Sequence, residues 1–294
     1  MIRKLCRLNE SRKAGIRRVE ERCMAVDGTR HRMYLESDCN LDRFMKCFYI
    51  EEKNGVPRSV LAITNMEPGR AEITAFTDPD WRGCGLFTKL WNEAADMLRE
   101  RGFEKVSFVC EPESRAGRAV LNRLGAKREK SEYLMELRVK AEGAGTGAMS
   151  TILRAAEDDR EPLTVLLAKC FRMPRDYAKA RVWGQFAEGN LVWKAVIRGT
   201  AGETVEELAG MCVAAVEGNS AFLYDICVAR SRRGQGIGTR LVAGAAEELA
   251  KMGIVKIGLQ VSSRSRAAVR LYRKLGFEER DRIDYYKVGI EFTE

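Results

Sequence analysis

This sequence predicts an α/β protein built as two tandem copies of one mixed-sheet unit, and three observations carry that prediction. The 294 residues are about twice an ordinary domain. Sliding the chain by 151 residues lays the halves over one another without a gap from Arg82 to Gly125: Arg82-Gly83 falls on Arg233-Gly234, Gly85 on Gly236, Gly102 on Gly253, Ser114-Arg115-Ala116 on Ser265-Arg266-Ala267, and Leu124-Gly125 on Leu275-Gly276. Between the copies, residues 141–149 turn rich in glycine and alanine and lose hydrophobic periodicity, as a linker does. The expected domains are therefore 1–140 and 150–294.

Each element of the unit has its own signal, preceded by a helix and two or three strands. Leu191 to Ile197 and Leu208 to Val216 read as a hairpin, echoed in the first half by Phe48 to Ile50 with Val60 to Ile63. Ala221 to Val228 is a continuous, mostly apolar run with aromatic residues, hence a buried strand. A loop, Ala229 to Gly236, follows. Ile237, Leu241, Ala245 and Leu249 then recur every four positions, and Gly253 stands where a C-terminal cap belongs, so this is an amphipathic helix. Leu86, Leu90, Ala94, Leu98 and Gly102 repeat the pattern. Val255, Ile257, Leu259 and Val261 alternate with polar or small residues, as a strand with one buried face does. A second helix near Ser265 to Leu275 ends at Gly276, and the aromatic, charged stretch Phe277 to Val288 reads as strand-turn-strand.

Composition removes several function classes. With 45% hydrophobic and 32% charged residues and 6 prolines, the chain is neither disordered nor a proline-rich scaffold. No apolar stretch reaches the length of a membrane span; the longest, Leu208 to Val216, contains Gly210. The start, Met1 to Arg7, lacks the apolar region of a secretory signal, so a cytoplasmic location is expected. Nine scattered cysteines, none in a C-x-x-C pair, and the single His31 give no zinc constellation, so no metal is expected and the thiols read as reduced, packed hydrophobes. Of these, Cys227 stands out because it lies in a strand. His31, between Arg30 and Arg32, reads as a surface residue rather than a triad member. The net charge of +9 is shared almost evenly by the halves and interleaved with acidic residues, which argues against nucleic acid as a partner.

The chemistry sits in Arg233-Gly234-Gln235-Gly236-Ile237-Gly238-Thr239, between a buried strand and an amphipathic helix. Such a loop presents unpaired N–H groups at the positive end of the helix dipole, and its glycines let a phosphate approach the main chain. No lysine follows as a P-loop requires, and Thr239 stands where a dinucleotide fingerprint needs its third glycine. Arg233, Gly236 and Gly238 instead meet the pattern R/Q-x-x-G-x-G/A. Ser265, Ala268, Leu271, Tyr272, Gly276 and Phe277 meet N-x-x-A-x-x-L-Y-x-x-x-G-F, with serine for asparagine. On these two signatures the chain resembles the GNAT (Gcn5-related N-acetyltransferase) superfamily in its tandem form.

The resemblance implies sheets that are mostly antiparallel with helices on both faces, and a cleft where the fourth and fifth strands, Ala221 to Val228 and Val255 to Val261, splay apart. It implies acetyl-CoA as co-substrate, its pyrophosphate on the backbone from Arg233 to Thr239, its pantetheine arm along Cys227 and Val228, and Ser265 among the cofactor-binding positions. An amine attacking the thioester directly needs a proton acceptor, and the leaving thiolate a donor. Tyr272 matches the family's phenolic donor; Asp225, three residues before Val228, is the candidate base, with Glu217 and Asp284 as alternatives. The acceptor is a small-molecule or peptide amine, lined by Phe171 to Gln185 and a final hairpin at Asp281 to Tyr286. A homodimer stays open. In the first half Phe87 replaces Gly238, Leu121 replaces Tyr272 and Thr74 replaces Asp225, so catalysis is expected in the second half. Arg82, Gly83 and Gly85 leave open whether the first half still binds CoA. The alternative is a non-catalytic CoA-binding or interaction module.

Overall fold

The computed structural model describes residues 2–37, 40–138, 151–198 and 206–289, so the expected linker at 141–149 lies outside the described residues. The chain divides into two units, one of Met1–Glu132 with Arg282–Glu294 and one of Tyr133–Asp281.

The first unit contains β1 (Ile2–Leu5), α1 (Glu10–Asp27), β2 (Phe48–Lys53), β3 (Val56–Glu67), β4 (Arg70–Thr77), α2 (Leu86–Glu100), β5 (Lys105–Cys110), α3 (Arg115–Arg123) and the first half of β6 (Lys127–Arg138). Asn9 starts α1 by accepting the Arg12 N–H, and Gly28 ends it in the left-handed conformation that glycine adopts without strain. β1 to β4 pair antiparallel in order, and β5 joins β4 parallel. Ser59 to Ile63 of β3 are buried without alternation, because α1 and α2 both pack against that strand. The far edge of β5 is taken by β12 (Glu278–Val288), antiparallel, with Asp284 opposite Cys110 and Val288 opposite Val106.

The second unit holds the rest of β6, then β7 (Thr151–Arg154), α4 (Arg160–Phe171), α5 (Arg175–Ala187), β8 (Leu191–Arg198), β9 (Glu206–Glu217), β10 (Ser220–Val228), α6 (Ile237–Lys251), β11 (Lys256–Ser262) and α7 (Arg266–Lys274). Its strand order is β7-β8-β9-β10-β11-β6. One core lies under α6 and α7, built on Trp193, Leu241, Leu249 and Leu259; another lies under α4 and α5, built on Leu163, Val182, Met211 and Cys227. The helices α2 and α6, and α3 and α7, begin and end at positions 151 apart, so the repeat read in the sequence is a repeat of folded elements.

β10 runs parallel to β11 from Ser220 opposite Lys256 to Leu223 opposite Leu259, where the pairing stops although both strands continue. β4 and β5 do the same after Ile73 and Phe108. On its other side β10 pairs with β9 and bulges between Tyr224 and Cys227, where Asp225 takes a left-handed φ of 49°. Among the described residues no helix is long and apolar enough to cross a membrane.

One expectation needs correction. Phe277 to Val288 is not strand-turn-strand, and no hairpin forms at Asp281 to Tyr286. Glu278 to Val288 is one strand, because its last five residues find backbone partners on β5 and Ile283, Tyr285 and Val288 are buried. The two compact units are bounded differently from the expected domains at 1–140 and 150–294: the first includes Arg282–Glu294, and the second begins at Tyr133, with Met135 in its core.

Candidate active site

Gly234 and Gly236 hold φ of 80° and 75°, which turns the chain sharply from β10 into α6. Gly236 caps α6 with no side-chain hydrogen bond, and no acidic residue occupies the first turn. The N–H groups of Gly234, Gln235 and Gly236 therefore join the first-turn N–H groups of Ile237, Gly238 and Thr239 as donors without a backbone acceptor among the described residues. Ile237 anchors the turn in the core. Gly238 has a packing role as well, since a Cβ there would lie 3.1 Å from Leu271 Cδ1 of α7. Arg233 donates from Nε to the Val228 carbonyl at 3.1 Å and keeps its exposed guanidinium beside the loop; Arg240 donates to the Gln235 carbonyl at 3.1 Å. A row of main-chain donors between two arginines, with no acid among them, fits a diphosphate.

Tyr272 lies on α7, only 6% exposed, its ring 5.8 Å from that of Phe277. Burial holds the phenol above its ordinary value, so it stays protonated through the physiological range. Asp225, 7% exposed, is gripped by Arg181 of α5 through two contacts of 2.7 and 2.8 Å. Next to it the Tyr224 hydroxyl donates to Gln185 of the same helix. The bulge thus turns two consecutive side chains toward α5 and engages the lone pairs of the candidate base. The alternatives lie elsewhere: Glu217 is exposed at the opposite end of β10, and Asp284 belongs to the first unit, bonded to Ser131 and Arg282. Cys227 is buried under α4, and the Val228 carbonyl also accepts from the Cys170 thiol at 3.6 Å. Ser265 stands exposed at the N-cap of α7 without a capping bond, whereas Ser114 in the first unit accepts the Gly117 N–H at 3.1 Å.

The first unit repeats this geometry with different charge. Arg82 Nε donates to the Thr77 carbonyl at 3.2 Å, but its two terminal nitrogens each meet a carboxylate oxygen of Asp27 at 2.8 Å. The Cys23 thiol donates to the same carbonyl at 3.1 Å. A cavity of about 530 Å³ opens there between β4, β5, α2 and α3, lined by Thr77, Gly83, Phe87, Phe108 and Leu121. The Phe87 ring packs on Phe108, with centroids 5.9 Å apart. His31 lines the same cavity rather than lying on an open surface, because buried Glu111 accepts the Arg30 and His31 N–H groups at 2.7 and 2.9 Å and draws that segment inward.

Arg181, Asp27, Glu111 and the two thiols had no signal in the sequence pattern. Each acts through a partner distant in the chain. Cys23 and Cys170 occupy matching places yet fall outside the 151-residue register, so sliding the halves does not align them.

A model of the acetyltransferase (GNAT) family matches this chain twice, over residues 13–126 and 160–277. The chain belongs to the GNAT family. It carries the family's unit in tandem, with one matched region in each unit. Among solved structures this GNAT chain is similar to a GCN5-related N-acetyltransferase from Sphaerobacter thermophilus, with a TM-score of 0.83 at 16% identity over 99% of this chain and 96% of that one. It is also similar to a tandem GNAT protein from the clavulanic acid biosynthesis pathway, with a TM-score of 0.72 at 15% identity over 100% and 99%. At these identities the likeness is one of fold. A curated relative, the ribosomal protein bS18 alanine N-acetyltransferase of Escherichia coli strain K12, is 33% identical over 81 residues, which are 27% of this chain and 55% of that protein. The chain thus spans about half the length of the curated relatives it matches.

Proposed function

We propose that the protein is an acetyl-CoA-dependent N-acetyltransferase acting on a primary amine by direct attack, with its catalytic centre in the second unit. The observation that carries this reading is the row of unpartnered main-chain donors from Gly234 to Thr239, flanked by Arg233 and leading into the helix that packs against the Tyr272 helix. Bound acetyl-CoA supplies the activated thioester. The loop N–H groups hold its diphosphate, and the free edges of β10 and β11 beyond Leu223 and Leu259 offer backbone partners to its arm. Tyr272, kept protonated by burial, gives its proton to the departing thiolate. Asp225 fixes α5 through Arg181 and passes the amine proton outward only where that pair opens. The acceptor is a small molecule or a peptide end; the alanine in the name of the bS18 enzyme makes a peptide N-terminus one arm of the screen.

The test is release of free CoA thiol with a panel of amines and peptides. Wild type should turn over, and Tyr272→Phe should lose about 100-fold in turnover while binding CoA unchanged. Undiminished turnover in Tyr272→Phe removes the proposed acid.

A second reading is favoured by the cavity in the first unit, where the Arg82 loop and its own helix N-terminus offer a matching cradle. There CoA binds without chemistry, because Leu121 has no proton to give. Calorimetric titration of the full chain separates the two: Gly236→Val should abolish the second-unit site and leave any site at Gly85 intact.

A further inference from the structure

Two thiols lie beside the loop of the second unit, and the proposed acetyl transfer uses the main chain of Cys227 but neither sulfur. Cys170 lies in the last turn of α4 and Cys227 sits on β10; Cys227 belongs to the core between those elements, Cys170 packs half-buried against it, and Cys170 also lines an open groove of about 890 Å³ with Arg233, Arg230 and Leu208. The Cys170 thiol reaches the Val228 carbonyl at 3.6 Å, one residue beyond Cys227. Cys170 packs against the cluster that holds Cys227, and Arg233 reaches the same Val228 carbonyl through Nε at 3.1 Å; the neighbouring Cys227 side chain and the Arg233 charge lower the Cys170 thiol to about 7. The neighbouring Cys170 side chain, with burial, raises Cys227 well above its ordinary value. One sulfur is thus an accessible nucleophile at neutral pH, and the other is held protonated against it.

The first unit supplies the control. Cys23 occupies the matching place, donating to Thr77, and no second cysteine occurs among the residues of β4. Its arginine is neutralised by Asp27, and burial raises the thiol instead. The second unit differs in both respects, since Arg233 meets no carboxylate among the described residues and Cys227 stands beside Cys170.

We infer that Cys170 and Cys227 form a thiol-disulfide exchange site, which takes a small-molecule disulfide from the groove and closes to a Cys170–Cys227 cross-link between α4 and β10. The step balances with a low-molecular-weight disulfide as oxidant. The Cys170 thiolate attacks one sulfur of that disulfide, making a mixed disulfide and expelling one thiolate. Cys227 then gives its proton to the thiolate expelled in the first step and attacks the Cys170 sulfur, expelling the second thiolate. Two protein thiols are oxidised and one disulfide is reduced to two thiols.

The full-length reduced protein is treated with glutathione disulfide at pH 7.5, quenched with acid and digested without reduction. Mass spectrometry should find the Cys170 and Cys227 peptides joined, and Cys170→Ser, which keeps a hydroxyl donor for Val228, should show no cross-link. In parallel, iodoacetamide should label Cys170 at pH 7 at least about fivefold faster than exposed Cys84, with an inflection near pH 7, and Arg233→Gln should slow that labelling about threefold. Cys170 left as a glutathione adduct with Cys227 free, or labelling of Cys170 no faster than of Cys84, overturns the inference.

Discussion

At Asp225 backbone and side chain set separate requirements. The left-handed φ of 49° suits Asp, Asn or Gly, and the carboxylate is the buried half of an ion pair whose other half, Arg181, is about a third exposed. Asp225→Asn keeps the turn and loses the charge, whereas Asp225→Ala loses both. We expect Asp225→Ala to destabilise the second unit by about 3 kcal/mol, the low end for breaking a buried pair, and Asp225→Asn by less. Urea unfolding followed by Trp183 and Trp193 fluorescence measures both, and equal losses would show that the backbone conformation contributes nothing. Coupling across the Arg181→Gln and Asp225→Asn cycle should exceed about 1 kcal/mol. In the first unit Asp27 cancels the charge of Arg82, so Asp27→Asn should strengthen CoA binding there about threefold at low salt and lose that gain at high salt, as titration would reveal.

The loop-helix element is where sequence carries most. The start and end of α6, the buried face set by Leu241, Ala245 and Leu249, and the turn at Gly236 were all legible, because glycine caps and a four-residue recurrence are local signals. Gly236→Ala must hold a Cβ at φ 75° and displace the Arg240 guanidinium, 3.1 Å away, at a cost of about 1 to 2 kcal/mol. Its expected effect is a rise of tenfold or more in the acetyl-CoA KM with a smaller change in kcat, which steady-state kinetics resolve. Gly238→Ala, at ordinary φ, asks only that Leu271 move by a few tenths of an ångström and should be much milder. What local pattern did not reveal is what Asp225 touches. Alternation gives β10 two faces, but the bulge breaks the alternation, and Arg181 lies 44 residues away on another element.

For the whole molecule, the strand Glu278–Val288 decides how the units are composed. Its charged first half resembles a turn when read alone; the strand is extended because it lies between β5, which pairs with Asp284 to Val288, and β6. A signal of that range is absent from any local window, so the repeat was legible and the closing strand was not. Deleting Arg282–Glu294 should therefore damage the unit at the other end of the chain. Loss of the buried Ile283, Tyr285 and Val288 side chains removes roughly 5 kcal/mol of apolar burial. Fluorescence of Trp81 and Trp91 should then report unfolding of the first unit while circular dichroism retains the signal of the second, and an undisturbed first unit would refute this division. The same arrangement fixes an order of events during synthesis. On the ribosome the N-terminal sheet waits, its β5 edge bare, while Tyr133–Asp281 emerges as one uninterrupted stretch, so the part translated later is the first with all its strands in hand.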